Sequence, residues 1–356
     1  MKLITTIAIL FCLGLTVRAQ ENPNQQILPA LRRSSDAFRD KKYYRALTIA
    51  DSAIEQCPHC YGGYLQRGYV LVEMDEFTMA YKAFDSVYKF CNGCASASLA
   101  MASAKSKNKK FGEAYEIIQD MLNKDSTSAK AAPTYNMRAQ IKMRQQLWND
   151  AYLDNLKSYQ LSPNQKILKS ITLHEIHTNQ NEKAEAHLAQ FNIAAAGTGA
   201  YEFYNDKGQV LCEMKRYEEA LTEFQKSRNL KADNVQALIG SGLAKLYSNK
   251  PQDALVEMER AVMLYPNNQY ALNNLGFIKI HLERYADALK DIENSLLLDA
   301  KMPEAYNNIG YIYYKIGGAD NYKKALDNYD KAIALGDSIY KPFWKYRNEV
   351  SGDNKR

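Results

Sequence analysis

The chain has 356 residues, of which 46% are hydrophobic and 24% are charged, and 46 basic residues stand against 40 acidic ones. This is the composition of an ordinary folded protein, with a high count of 26 tyrosines. The net charge of +6 falls far short of the basic surface that nucleic-acid binding requires, which excludes nucleic acid as a partner.

The N-terminal segment 1–19 has the pattern of a secretory signal peptide. Lys2 gives a positive start, an apolar run covers 3–15, and the segment 17–19 (Val-Arg-Ala) provides small residues for cleavage. The run is too short to cross a bilayer, and no later segment is apolar enough to do so. The sequence also lacks Asn-x-Ser/Thr acceptors, which favours a bacterial protein. We therefore expect a mature chain that begins near Gln20 and is exported, either periplasmic or secreted, without a transmembrane segment.

One pattern then returns with a fixed period through most of the chain. Four glycines are equally spaced, and an alanine follows each of the first three at a constant distance. The glycines are Gly208, Gly242, Gly276 and Gly310, and the alanines are Ala220, Ala254 and Ala288. A fixed period of about 20–50 residues indicates a repeat protein.

An aromatic residue three positions before an alanine predicts the start of the second helix of each unit. The pairs are Tyr43/Ala46, Phe77/Ala80, Phe111/Ala114, Trp148/Ala151, Tyr217/Ala220, Tyr285/Ala288 and Tyr322/Ala325, and Pro251/Ala254 keeps the spacing. Only small side chains fit at the glycine and alanine positions, because paired helices approach most closely there. The nine predicted units are 27–60, 61–94, 95–128, 132–165, 167–200, 201–234, 235–268, 269–302 and 303–339.

The last unit carries the clearest family signature. It consists of the run 306–314 (Tyr-Asn-Asn-Ile-Gly-Tyr-Ile-Tyr-Tyr), followed by Tyr322, Ala325, Tyr329 and Ala332. This pattern resembles the tetratricopeptide repeat, and the resemblance covers about 27–339. It implies an all-α, right-handed solenoid in which the first helices line a concave face where ligands bind.

Positions where the sequence departs from the repeat pattern predict the segment boundaries of the chain. Unit 167–200 is degenerate, because His174 fills its small-residue position, and it ends in a hinge at 194–199 (Ala-Ala-Ala-Gly-Thr-Gly). The predicted segments are a signal peptide 1–19, a disordered start 20–26, repeats 27–165, the degenerate repeat and hinge 166–200, repeats 201–339, a capping helix 340–350 and a disordered tail 351–356.

Four cysteines occupy the same inter-repeat turn in two consecutive units: Cys57, Cys60, Cys91 and Cys94. Three interpretations stay open. The first interpretation is that disulfides crosslink these turns, as is common in exported proteins. Four thiolates at one end of a helical hairpin are also a donor set for a structural Zn²⁺. The third is redox activity, since Cys-Pro-His-Cys resembles the active-site tetrapeptide of thioredoxin-fold oxidants, although the strands of that fold are absent from the pattern.

The sequence offers no catalytic motif. It has no Gly-Lys-Ser/Thr phosphate loop, and 240–242 (Gly-Ser-Gly) lies inside a predicted helix rather than on a nucleophile elbow. His174, His177 and His187 gather in the degenerate unit, but Thr178 breaks the His-Glu-x-x-His pattern, so a polar helix surface is favoured over a metal site. We expect a non-catalytic protein that needs no cofactor, with structural zinc as the alternative.

By helix phase, ten side chains should line the concave face. An amide can donate to and accept from the backbone of an extended peptide, and aromatic rings add contact area at low entropy cost. The candidates are Asn136, Gln140, Asn205, Gln209, Asn273, Asn274, Phe277, Asn307, Asn308 and Tyr311. An asparagine before Leu-Gly or Ile-Gly, as at Asn274 and Asn308, is equally explained as part of the repeat consensus.

The sequence therefore predicts an exported scaffold that binds a peptide or protein segment in its groove. Two alternatives remain: a thiol-redox or zinc-binding protein that uses the four cysteines, and a structural subunit of a cell-envelope complex.

Overall fold

The computed structural model describes residues 24–191 and 200–335. Over these ranges it contains eighteen α-helices, one short 3₁₀ helix and no β-strand, which confirms the predicted all-α class. The predicted signal peptide 1–19, hinge 194–199, capping helix 340–350 and tail 351–356 lie outside the described residues.

The chain divides into two compact units, Met1–Ile171 and Thr172–Arg356. The first contains α1 Leu28–Arg39, α2 Tyr43–Gln56, α3 Tyr61–Glu73, α4 Phe77–Phe90, α5 Ala95–Lys107, α6 Phe111–Lys124, the 3₁₀ helix Ala129–Ala131, α7 Ala132–Arg144 and α8 Trp148–Leu161. Helix α9, Gln165–His177, contains the boundary. The second contains α10 Asn181–Leu188, α11 Ala200–Glu213, α12 Tyr217–Leu230, α13 Val235–Tyr247, α14 Pro251–Leu264, α15 Gln269–His281, α16 Tyr285–Leu298, α17 Pro303–Ile316 and α18 Ala319–Ala334.

Within each unit, consecutive helices pack as pairs, and seven of the eight predicted starts of second helices are observed. The prediction for Tyr322 was wrong, since α18 already begins at Ala319. Gly317 and Gly318, with φ of 75° and 90°, form the turn before it, and Gly318 is the N-cap. Glycine tolerates these positive φ values, so the helix begins directly after the turn.

The predicted close approach of paired helices is confirmed at the glycines. A Cβ atom on Gly310 would lie 2.6 Å from Cε1 of Tyr329, and one on Gly208 would lie 2.7 Å from Cε1 of Phe224. The eight alanines of the aromatic–alanine pattern are all buried: Ala46, Ala80, Ala114, Ala151, Ala220, Ala254, Ala288 and Ala325. In the repeats that have this glycine, the core is therefore formed where a large side chain of the second helix covers the glycine of the first.

A left-handed turn joins the two helices of most repeats. Lys41 has a φ of 59°, and the N–H of Lys42 donates to the carbonyl oxygen of Ala37 at 2.8 Å, as in a Schellman C-cap. The same positive φ recurs at Asp75, Lys109, Gln146, Asn179, Lys215, Asn249 and Glu283. Because none of these residues is glycine, the glycine pattern does not reveal this turn.

Order begins earlier than predicted at the N-terminal end. The segment 20–26 is expected to be disordered, but Asn24 is buried and its Oδ1 accepts a hydrogen bond from the N–H of Gly62 at 3.0 Å. Ile27, which follows in the same turn, is fully buried against the first repeat. The side chain of Asn24 satisfies a backbone donor at the start of α3, and this bond holds the segment against the first repeats.

Candidate functional site

The first helices of consecutive repeats lie side by side. In the second unit, α11 contacts α13, α13 contacts α15, and α15 contacts α17. In the first unit, α1 contacts α3, and α5 contacts α7. The second helices cover one side of this row. The predicted binding residues must therefore be exposed on the other side of the first helices if they are to contact a ligand.

Four of the predicted groove asparagines are buried rather than open. Asn205 is 1% exposed and Asn273 is 6% exposed, and Asn307 and Asn308 are buried as well. Nδ2 of Asn308 donates to Oδ1 of Asn273 at 3.0 Å, and Nδ2 of Asn205 lies 3.5 Å from Oε1 of Gln236. These amides therefore link neighbouring first helices. The sequence does not reveal this, because helix phase fixes the face on which a residue lies but not how deeply neighbouring helices bury it.

The other predicted residues of the second unit keep part of their surface. Gln209, Asn274, Phe277 and Tyr311 are all partly exposed. Nδ2 of Asn274 donates to the carbonyl oxygen of Tyr270 on the same helix at 2.8 Å, so its donor is used within α15. The contact area that remains for a ligand is therefore mainly aromatic.

We call the accessible rings of α13, α15 and α17 the aromatic face. Tyr270 is 56% exposed and Tyr247 is 51% exposed. The rings of Phe277 and His281 meet edge to face with centroids 4.6 Å apart, and those of Tyr311 and Tyr314 stack at 6.5 Å. The aromatic face consists of Tyr247, Tyr270, Phe277, His281, Tyr311 and Tyr314. The predicted groove set contains only Phe277 and Tyr311 of these six. Tyr270, His281 and Tyr314 each lie about one turn from a predicted residue on the same helix, which was the signal available to find them, whereas nothing was predicted on the helix of Tyr247.

In the first unit, Asn136 and Gln140 belong to a polar cluster inside one repeat. Nε2 of Gln140 donates to Oδ1 of Asn136 at 2.8 Å, and Nδ2 of Asn136 donates to Oδ1 of Asn155 at 3.3 Å. Both residues are partly buried, and both are engaged with neighbours. The structure therefore brings this predicted pair together, but within the fold of α7 and α8.

Basic side chains of the first helices pair with an acidic residue on the second helix. Arg138 and Lys142 both contact Asp154, whose side chain is 5% exposed, at 2.6 Å and 2.8 Å. In the second unit, Lys245 on a first helix and Arg228 on the preceding second helix both contact Glu257. Burial raises the pKa of Glu257, but Lys245 and Arg228 lower it by more, so the net pKa falls. These cations are paired with carboxylates within the fold.

Comparison with known proteins reveals no relative by sequence. No protein-family profile and no curated protein matches the chain. The crystal structure of yeast Tom70 is similar over 93% of this chain and 89% of that chain, with a TM-score of 0.54 and 13% identity. A tetratricopeptide repeat protein from Parabacteroides merdae matches 82% of this chain and 98% of its own, with a TM-score of 0.45 and 12% identity. The Cut9–Hcn1 hetero-tetramer of APC/C covers 98% and 86%, with a TM-score of 0.40 and 11% identity.

The chain has the tetratricopeptide-repeat fold. Identities of this size establish the fold alone, so the binding properties of the neighbours are not transferred. Within the described residues of the tetratricopeptide array, no helix is long and apolar enough to span a membrane.

The cysteine turns of the tetratricopeptide array each form a local pair. The Cα atoms of Cys57 and Cys60 are 5.3 Å apart, and those of Cys91 and Cys94 are 5.5 Å apart, which is the separation that a disulfide needs. The structure joins the sulfurs within each pair. Among the described residues, no group of three or more His, Cys, Asp or Glu side chains is placed to hold a metal ion. Each cysteine pair therefore lies within its own turn, at a separation that suits a local disulfide.

The histidines of the degenerate tetratricopeptide unit do not converge on a common point either. Nδ1 of His187 lies 2.8 Å from Oε2 of Glu175, which is fully buried. Burial lowers the pKa of His174. The second helix of this unit, α10, has only 8 residues, whereas the second helices of the other repeats have 14 or more. The hydrogen bond between Glu175 and His187 joins this short helix to α9.

Proposed function

We propose that this protein is a non-catalytic scaffold that holds an extended segment of another protein against the first helices of its second unit. One observation carries the proposal: the aromatic face leaves large rings accessible on three adjacent first helices. Tyrosine rings supply contact area and a hydroxyl at low entropy cost, so they are effective in binding surfaces. The tetratricopeptide fold of the chain supports a protein partner over other ligand classes.

The chemistry of the surface indicates how the segment is held. The buried amides of Asn273 and Asn308 bond to each other, so they position the helices rather than the ligand. The basic residue Lys279 pairs with Asp291 within its own repeat. Binding should therefore depend mainly on aromatic and apolar contact, and Lys315, whose Nζ lies 5.7 Å from the ring centroid of Tyr311, adds one cation to this surface.

Site-specific photo-crosslinking tests this surface. A photoreactive phenylalanine analogue is placed at Tyr270 on the aromatic face or at Leu297 on α16, a second-helix position that is 85% exposed. The proposal expects that the Tyr270 position crosslinks one defined partner and that a Tyr270→Ala/Tyr311→Ala double variant fails to recover it. The matched Leu297→Ala variant should recover the partner normally. Unchanged recovery by the double variant would exclude the aromatic face.

A second candidate function has its own observation. Met263 and Leu297 project from second helices of the same unit and are 74% and 85% exposed. Such exposed apolar side chains suit assembly into a larger complex, as in a structural subunit of the cell envelope. Crosslinks formed at Leu297 but not at Tyr270 would favour this alternative over groove binding.

We further propose that the chain is exported, either to the periplasm or out of the cell. The support is the signal-peptide pattern of residues 1–19 together with the two paired cysteine turns, which suit an oxidising compartment. Amino-terminal sequencing of the protein purified from its native cells tests the proposal. A mature terminus near Gln20 is expected, and an intact Met1 in the main cellular pool would contradict it.

A further inference from the structure

The scaffold function does not use the two cysteine turns of the first unit. Cys57 and Cys60 join α2 to α3, and Cys91 and Cys94 join α4 to α5. The two turns have the same spacing and the same place in consecutive repeats. The reactivity of the two disulfides can therefore be compared within one protein, and the surroundings of their sulfur atoms are the main difference between them.

The second cysteine of each turn lies in a different environment. Cys60 is 0% exposed and packs in an apolar cluster with Ile27, Ala30 and Ala53. Cys94 also packs against an apolar cluster, but only at its edge: it is partly exposed, and its Sγ lies 3.5 Å from Oγ of Ser96. A thiolate formed at Cys60 would be desolvated among apolar groups, which is unfavourable, whereas one at Cys94 would have a hydroxyl and solvent beside it.

The backbone amides of the two turns also point at different acceptors. The N–H of Cys94 donates to Sγ of Cys91 at 3.2 Å. The N–H of Cys60 donates instead to the carbonyl oxygen of Cys57 at 3.0 Å. A donor aimed at a sulfur stabilises the thiolate that forms there, and a more stable thiolate leaves faster in disulfide exchange. The carbonyl oxygen of Tyr88 also faces this sulfur, but at the longer distance of 3.5 Å, so the nearer N–H favours Cys91 as the leaving group.

An attacking group can also reach the second turn. Asn92 and Gly93 lie between its cysteines, and both are exposed. Both have positive φ, 52° and 86°, which turns the backbone sharply and leaves the two cysteines partly exposed. In the first turn, Pro58 and His59 are also exposed, but the buried Cys60 closes off one of the two sulfurs.

We propose that Cys91–Cys94 is a thiol–disulfide exchange site for a partner that carries a dithiol, and that Cys57–Cys60 is a structural disulfide. A thiolate of the partner attacks Sγ of Cys94 and forms a mixed disulfide, while the bond between Cys94 and Cys91 breaks and its electron pair leaves on Cys91. The partner's second thiolate then attacks its own sulfur in the mixed disulfide and releases the Cys94 thiolate.

The net step is balanced without a further reactant. The partner dithiol loses two electrons and two protons and becomes a disulfide. Cys91 and Cys94 gain the two electrons, and the two protons return to them directly or through solvent. The site goes beyond the scaffold function and does not depend on it, since the aromatic face lies in the other unit.

Kinetic labelling with dithiothreitol as the dithiol probe tests the proposal. The folded, air-oxidised protein is exposed to dithiothreitol, quenched with acid and alkylated, and the labelled peptides are quantified by mass spectrometry. We expect Cys91 and Cys94 to be labelled roughly tenfold or more faster than Cys57 and Cys60. Equal rates, a faster first turn, or four free thiols before dithiothreitol is added would overturn the proposal.

Matched variants and a denatured control separate the site from its surroundings. Cys57→Ser/Cys60→Ser should keep the fast phase, and Cys91→Ser/Cys94→Ser should lose it. In denaturant the two pairs should react at similar rates, because the cluster around Cys60 is gone. If the tenfold difference in labelling rate persisted in denaturant, it would be caused by the local sequence of each turn. That result would overturn the proposal that burial of Cys60 protects the first disulfide.

Discussion

The side-chain amide of Asn308 donates to Oδ1 of Asn273 at 3.0 Å across 35 positions of the sequence, and both residues are buried. This bond joins α15 to α17, so it holds two consecutive first helices in register. Two residues with the appearance of ligand contacts therefore act as a structural link beneath the aromatic face.

Removal of this link should destabilise the fold. In Asn308→Ala, Oδ1 of Asn273 loses its donor in a buried position, which should lower the free energy of unfolding by about 1–3 kcal/mol. Urea denaturation measures the change. Asn274→Ala is the control, because its partly exposed amide bonds only within its own helix and its loss should cost less than about 0.5 kcal/mol. Equal losses in the two variants would show that the buried bond contributes nothing of its own.

The glycine of each repeat should not tolerate a methyl group. A Cβ at Gly276 would overlap the side chain of Ile292 and lie 3.0 Å from the carbonyl oxygen of Ala288. Gly276→Ala should therefore lower the free energy of unfolding by about 1–3 kcal/mol. Gly112 lies in helix α6 with nothing within 4 Å of its added Cβ, so Gly112→Ala should raise that free energy by about 0.5–1 kcal/mol. Thermal unfolding of both variants checks the opposite signs, and a stabilised Gly276→Ala would refute the packing argument.

The buried carboxylate of Asp154 should be essential to the first unit. It receives two bonds from Arg138 and one from Lys142, so Asp154→Asn leaves two partly buried cations without their counter-charge. We expect a loss of about 3 kcal/mol in the free energy of unfolding. Asp120→Asn removes the same charge from an exposed pair with Lys124 and should leave the urea midpoint unchanged. A similar shift in both variants would indicate a general charge effect.

The thiol of Cys212 should make stability depend on alkaline pH. Burial, and to a lesser extent the charge of Glu213, raises its pKa to about 12, above the value of about 8.5 in an unfolded chain. Between these values the unfolded chain releases the proton and the folded chain keeps it, so the folded state loses stability as pH rises. The stability of the wild type relative to Cys212→Ala should therefore begin to fall near about pH 8.5 and keep falling toward about pH 12. Parallel curves for the two proteins would contradict the raised pKa.

The sequence by itself determined the repeat, the pairing of helices and most helix starts. These features are local: the fixed period places Gly208, Gly242, Gly276 and Gly310 at equivalent points, and only small residues fit where two helices touch. The start of α18 escaped prediction, because two successive glycines with positive φ moved it by three residues.

Only the tertiary structure decided which residues of the first helices remain exposed to a ligand. Asn273 and Tyr270 are three positions apart on α15, yet the first is buried under α17 and the second is more than half exposed. Cys60 and Cys94 hold the same place in the repeat, yet the first is fully buried in an apolar cluster and the second is partly exposed beside Ser96. Periodicity fixes the direction of a side chain, whereas its exposure, and hence its chemistry, depends on the helix that packs beside it.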